Sequence, residues 1–288
     1  MLEGSLGTKP FYADWIAVGA TLVLLYGPTF YGLATTLWRS DEGAHGPIIL
    51  ALVLWLGWRH KQAFAASSEE PRPFIGLAVL GLGLLAQVVG RWHDIGVLEV
   101  GSLIPVAAGV LLAMRGAVAL RALWFPLLFA VFLVPLPAVF VDALTGPLKQ
   151  EVSAIAERIL YAAHYPVGRS GVILTVGQYQ MLVADACSGL NSMFSLAALG
   201  LLYLHLVGRA GWLHNALIVA STLPIAFAAN VVRVLILVLI TYHFGDEAGQ
   251  GFLHSAAGLV LVLAALGLLL SLDALLARFV MRPRLVSR

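Results

Sequence analysis

Three residues of this chain have the types and settings that acyl-transfer chemistry needs: Cys187, Arg233 and His254. Cys187 is the only cysteine, so it cannot form an intrachain disulfide. It stands in Ala184-Asp185-Ala186-Cys187-Ser188-Gly189-Leu190, where a polar, turn-prone segment gives way to a long apolar run. A thiol at the start of a helix faces unpaired backbone N–H groups, which lowers its pKa and favours the nucleophilic thiolate. A thiolate attacking a carbonyl needs a proton donor for the leaving amine and a donor for the oxyanion. His254, in Phe252-Leu253-His254-Ser255, has the intrinsic pKa for proton transfer near neutrality. Arg233, in Asn230-Val231-Val232-Arg233-Val234, keeps its charge and suits oxyanion or substrate-carbonyl stabilisation.

Each residue also has a plainer reading. A lone cysteine in a membrane helix is more often a small apolar filler, and a histidine at a helix end is more often a satisfied interfacial residue. An arginine amid Ile, Leu and Val is costly and is a functional hypothesis by default, its plain alternative being a side chain that snorkels to lipid phosphate. Lower in rank as possible supporting residues stand Asn230, able to hold Arg233 by hydrogen bonding, and Asp185 and Ser188 beside the thiol. His45 with Asp41 and Glu42 could border a site, and Glu99 lies in or near an apolar run.

Composition identifies the solvent these residues work in. With 60% hydrophobic and 11% charged residues, and a mean hydropathy of +0.93, the chain is far from the roughly 25% charged residues of a soluble domain. It is expected to be an all-α integral membrane protein forming one polytopic domain over residues 1–288, its catalytic half at 183–276. A net charge of +2 implies no attraction to nucleic acid. The first apolar run lacks a basic n-region and a small-residue cleavage site, so it reads as a retained span. No metal-ligand cluster, CxxC pair or Gly-rich phosphate loop points to a metal or other cofactor.

Eight apolar stretches approach bilayer length, about 20 residues each: Trp15–Trp38, Gly46–Trp58, Phe74–Val89, Val97–Met114, Leu123–Val141, Gly189–Val207, Leu213–Ala229 and Ser255–Leu276. Val231–Phe244 reads as an extension of the seventh, a re-entrant piece or a ninth span. With both termini inside, eight spans leave only Arg39, Arg91, Lys149, Arg158, Arg169 and Arg233 of the 17 Lys and Arg on the outer side, as the positive-inside rule prefers. Cys187, Arg233 and His254 then meet at the outer surface. The outer loop 142–186 is expected to contain an amphipathic helix over Leu148–Ala163, a break at Tyr165–Gly171, and a short hairpin over Val172–Leu182 with Gly177 near its turn. That stretch reads as a lid that delivers the chain to Cys187.

The chain resembles the exosortase/archaeosortase family of membrane cysteine transpeptidases. The resemblance rests on Val183-Ala184-Asp185-Ala186-Cys187-Ser188-Gly189-Leu190-Asn191-Ser192, on Pro224-Ile225-Ala226 through Asn230-Val231-Val232-Arg233, and on His254-Ser255-Ala256-Ala257-Gly258. Weaker echoes are His45-Gly46, Pro135-Leu136-Pro137, and Pro166-Val167 with Arg169 and Gly171. It implies Cys187 as nucleophile, Arg233 as transition-state or substrate-orienting residue, and His254 as acid-base partner. Asn191 stands where many members carry Arg, a variant similar to the exosortase B branch. The likeness implies an enzyme of the bacterial inner membrane; the chain ends at Arg288 without the extra C-terminal domain of some relatives, so a stand-alone enzyme is expected, and the eight-span topology puts its site at the periplasmic face. Its substrates would be exported proteins ending in a PEP-CTERM-type signal: a Pro-Glu-Pro-like motif, a transmembrane segment and a basic tail. A secondary transporter would also bury Arg and His, but should show inverted halves with broken helices at the midplane; a structural membrane subunit would tolerate loss of the thiol.

Overall fold

A computed structural model describes residues 11–40, 43–61, 71–182, 189–208, 211–245 and 252–280. The chain divides into two units, Met1–Pro135 and Leu136–Arg288.

The first unit is helical. It comprises α1 (Phe11–Thr35), a short 3-10 turn at Leu37–Arg39, α2 (Gly46–Arg59), α3 (Pro73–Trp92), α4 (Gly96–Gly101), α5 (Leu103–Ala122), α6 (Trp124–Phe129) and a 3-10 segment at Ala130–Leu133. Helix α3 carries glycines at a seven-residue spacing, Gly76, Gly83 and Gly90, all buried. A Cβ on them would collide with Ala113, Val106 and Glu99 respectively, so the glycine stripe lets the backbones of α4 and α5 approach closely, as small residues do between membrane helices. Helix α5 is interrupted at Gly116, φ +78°, just beyond Arg115. Large apolar side chains point outward, among them Leu24, Phe74, Leu82 and Trp92. Trp58 and Trp92 stand at helix ends, where indoles favour the membrane–water interface.

The second unit holds α7 (Ala138–Ala162), three short strands, β1 (Val167–Ser170), β2 (Ile173–Val176) and β3 (Tyr179–Leu182), and the helices α8 (Gly189–Val207), α9 (Trp212–Phe244) and α10 (Phe252–Val280). The strands form one antiparallel sheet in the order β1-β2-β3, with Val167 opposite Val176 and Ile173 opposite Leu182. Alternation along β2 buries Leu174 and Val176. Those side chains join Val152, Ala156 and Leu160, four residues apart on α7, and Val231, Val234, Leu237 and Val238 from the second half of α9. Helix α7, the sheet and about two turns of α9 thus share a core of their own. Gly177 turns β2 into β3 with φ +56°, and a Cβ there would lie 3.2 Å from the Tyr242 ring. Both the left-handed backbone and the crowding demand glycine.

The expected hairpin and the sixth helix are found, the latter over the expected residues Gly189–Val207. The count of eight spans is not supported by the described residues. Among the described residues four helices are long and apolar enough to cross a bilayer: Asp14–Arg39, Pro73–Trp92, Gly96–Ala122 and Trp212–Phe244. Leu123–Val141 is not one helix: α6 and the 3-10 segment end at Leu133, and α7 begins only after Pro137, φ −60° and ψ 138°. Pro135 and Pro137 lack N–H donors and bias the residues before them to extended backbone, so no helix runs through. Helix α2, at 14 residues, spans only about 21 Å against a hydrocarbon core of about 30 Å. Val231–Phe244 is resolved as the continuation of the seventh helix, since α9 runs unbroken for 33 residues through Pro224. The amphipathic helix extends further toward the N-terminus than expected, starting at Ala138, and Ser153 and Ala156 are fully buried in it.

Candidate functional site

The candidate site belongs to the second unit, where α8, α9 and α10 pack against one another in all three pairs. Leu196 of α8, Ala226 and Ala229 of α9, and Ala265 of α10 form the seam. Gly200 deepens it, since a Cβ there would come within 3.1 Å of Thr222 Oγ1 and 3.6 Å of Leu269. Small side chains permit this approach where larger ones would hold the helices apart.

Arg233 lies on α9, 21 residues from its start and 11 from its end, and is only 5% exposed. Asn230, three residues earlier and so on the same helix face, is equally buried. The bond expected from Arg233 to Asn230 is not made: arginine only donates, and the Asn230 side-chain oxygen is buried with no hydrogen-bond partner among the described residues. A buried carbonyl oxygen left this way is costly, and it is an acceptor open to another group.

His254 lies in the first turn of α10, three residues into the helix. Cys187, Asp185 and Ser188 lie outside the described residues, which resume at Gly189. Asn191 lies in the first turn of α8. Thus Arg233, His254 and the residue two places after Cys187 ride on three mutually packed helices.

His45 belongs to the first unit, in the turn that opens α2, where its carbonyl accepts the N–H of Ile49 at 3.0 Å. Burial lowers its pKa from the ordinary 6.5, because a charged imidazole loses solvation there. Gly46 beside it abuts the Trp38 ring too closely for any Cβ. Glu99 is drawn into a buried chain of hydrogen bonds in the first unit. Thr29 donates to its Oε1 at 2.6 Å, Ser102 donates to Gln87 Oε1 at 2.8 Å, and the Tyr26 hydroxyl meets Ser102 Oγ at 2.8 Å. Such a chain satisfies polar groups that apolar surroundings would otherwise strand.

At the far end of α9, Tyr242 and His243 pack edge-on against the Tyr165 ring, and the Tyr165 hydroxyl lies 3.2 Å from His243 Nε2. Arg169, one of the family echoes, donates to Glu157 at 2.9 Å and to the Gly171 carbonyl at 3.0 Å. It ties β1 to α7 and closes the turn into β2.

Sequence reasoning missed one polar cluster. His214 at the start of α9 is fully buried and its Nε2 lies 2.6 Å from Asp273 Oδ1 of α10; Tyr203 of α8 donates to Asp273 Oδ2 at 2.8 Å. The available signal was Asp273 itself, an acid inside an apolar run, where an ionisable group marks a site by default.

The chain matches the family model described as transmembrane exosortase (Exosortase_EpsH) over residues 37–271. No curated protein and no solved structure matches it. The match covers most of the chain, both units included, so this membrane protein belongs to the transmembrane exosortase family.

Proposed function

From membership in that family we propose that the protein is a membrane-embedded cysteine endopeptidase or transpeptidase that cleaves PEP-CTERM-type C-terminal sorting signals of exported proteins. The Cys187 thiolate attacks the scissile carbonyl, forming the C–S bond, and the electron pair of the C=O moves onto oxygen. Arg233 stabilises that oxyanion with its fixed charge. The C–N bond then breaks as protonated His254 gives its proton to the leaving amine, and a thioester remains on Cys187. Water or an amine attacks the thioester, losing a proton to His254, and returns the thiolate. The open acceptor on Asn230, one turn from Arg233, suits a substrate backbone N–H. The Asn191-bearing motif supports the B type of exosortase.

The observation that carries this reading is an arginine 95% buried within a 33-residue apolar helix. A charged residue at such a place in a membrane helix is a functional hypothesis by default. Depth supports it too. Trp212, 79% exposed at the start of α9, suits an interfacial anchor. From that anchor a hydrocarbon core of about 30 Å is crossed in roughly 20 residues. Arg233 then emerges at the opposite boundary, and the remaining turns, those packed on the sheet, stand beyond the lipid. A substrate anchored by its own transmembrane helix presents the bond just outside that helix at this depth. The setting is the bacterial inner membrane, with both termini cytoplasmic and the site at the periplasmic face.

The test is co-expression with an exported reporter ending in a tripartite sorting signal. Wild type should shorten the reporter, and Cys187→Ala should leave it full-length while still inserting. Processing by Cys187→Ala at the wild-type rate would overturn the mechanism.

A further inference from the structure

The buried cluster of Tyr203, Asp273 and His214 has no part in the chemistry above, yet its placement relates directly to it. One carboxylate on α10 is held from both sides: His214 Nε2–H of α9 donates to Oδ1 at 2.6 Å, and the Tyr203 hydroxyl of α8 donates to Oδ2 at 2.8 Å. His214 is 0% and Asp273 2% exposed. The three helices joined here are those that lead from Cys187 and carry Arg233 and His254. His214 lies 19 residues before Arg233 on α9, and Asp273 lies 19 residues after His254 on α10. At 1.5 Å per residue each interval is about 28 Å. Gly189, where α8 begins, is 14 residues or about 21 Å from Tyr203.

We infer that Tyr203, Asp273 and His214 form a positioning clamp that sets the axial register of α8, α9 and α10, and through it the relative heights of Cys187, Arg233 and His254 at the other end. The inference rests on the proposed catalytic roles of those three. Its physical basis is the contrast between clamp and seam. Between the two ends the helices meet through Gly200, Ala226, Ala229 and Ala265, with Leu196 and Leu269 among them, a seam rich in small side chains. Dispersion along such a seam favours close approach but discriminates weakly between axial offsets. Hydrogen bonds to a single carboxylate are directional and short-ranged, and a slip of one residue, about 1.5 Å, would break both. A reacting constellation tolerates roughly 0.5 Å, and a misplacement of about 1 Å can cost about 10²-fold in rate.

A purely stabilising role makes a different prediction, because it lowers the melting temperature and leaves processing by the folded protein unchanged. The full-length protein is therefore reconstituted in lipid as wild type, His214→Leu/Asp273→Leu and Tyr203→Phe. Three properties are read: melting temperature, reporter processing, and the pH dependence of Cys187 alkylation by iodoacetamide. If the clamp positions the site, the double variant remains folded at the assay temperature and processes about 10²-fold more slowly. Its alkylation midpoint rises toward the ordinary thiol value of about 8.5. Tyr203→Phe, which loses the hydroxyl and keeps the ring, is affected in the same directions but less. A double variant that melts normally, processes within twofold of wild type and keeps its alkylation midpoint overturns the inference. Should the double variant fail to fold, Tyr203→Phe decides, and wild-type behaviour there overturns it equally. Register is read without catalysis by oxidising Gly200→Cys/Thr222→Cys in a Cys187→Ala background. A Cβ at residue 200 would lie 3.1 Å from Thr222 Oγ1, so a sulfur in place of that oxygen is within reach of one on residue 200, and the disulfide yield should fall several-fold when His214 and Asp273 become Leu. An unchanged yield counts against the clamp. A yield that falls while processing does not depend on Cys187 leaves the clamp standing and removes the thiol mechanism.

Discussion

Asn230 and Arg233 lie one turn apart on α9, both 5% exposed, and the Asn230 side-chain oxygen takes no hydrogen bond from the arginine or from any other described residue. A donor that cannot lose its charge and an acceptor left open thus share one buried face. That pairing suits a ligand offering both a carbonyl oxygen and an N–H, as a peptide bond does. Asn230→Leu should therefore raise KM for the reporter by roughly tenfold, about the worth of one hydrogen bond at 1.4 kcal/mol. Steady-state kinetics with a detergent-solubilised reporter would check it, and an unchanged KM would remove Asn230 from substrate contact.

Arg233→Lys separates charge from shape. An ammonium supplies a point charge without the planar fork, so the Lys variant should insert normally and lose roughly 10²-fold in kcat. Reporter cleavage followed by immunoblot would show it. Activity near wild type would mean that charge alone suffices, and activity in Arg233→Ala would exclude the residue.

His254→Ala should flatten the pH profile. If His254 moves the proton, wild-type kcat/KM is bell-shaped across neutrality, and the variant is at least about 10²-fold slower with no neutral limb. Retention of the wild-type profile in the variant would assign proton transfer elsewhere.

The shared core of α7, the sheet and α9 predicts a stability effect separable from chemistry. Leu174 is 0% exposed in that core, so Leu174→Ala should cost roughly 2–5 kcal/mol, read as a lowered melting temperature in detergent. Gly177→Ala should also destabilise, through its φ of +56° and the contact with Tyr242. Unchanged melting in both would show that the sheet does not pack on α9.

His45 gives a pH dependence with a definite sign. Its folded pKa is depressed by burial from 6.5, so the unfolded chain binds more protons near that pH. Its contribution is present above about 6.5 and is lost as pH falls through the lower folded value. His45→Gln should flatten the acid side of a melting-temperature profile measured from pH 8 to 5; an identical slope in the variant would contradict the assignment.

Local chemistry by itself determined much here. Composition specified a bilayer as solvent. Apolar length delimited α8, β-branched runs flanking Gly177 marked the hairpin, and helical apolar spacing over Leu148–Ala163 marked a helix within α7. These features follow from residues within a turn or two of one another, where periodicity and turn preference act. The tertiary structure decided what periodicity cannot express. Val231–Phe244 reads equally well as an extension, a re-entrant piece or a span until α9 is seen to run through, because apolar content reports burial and not continuity. The membership of Val231, Val234, Leu237 and Val238 in a core with the sheet depends on a fold-back of more than fifty residues. Asp273 finds His214 at a separation of 59 and Tyr203 at 70. Nothing in their immediate neighbours encodes such a meeting, since it arises only when three helices pack at one axial register. The catalytic assignments of Cys187, Arg233 and His254 rest on motif chemistry, while the buried face that Asn230 shares with Arg233 is a property of the packed helix alone.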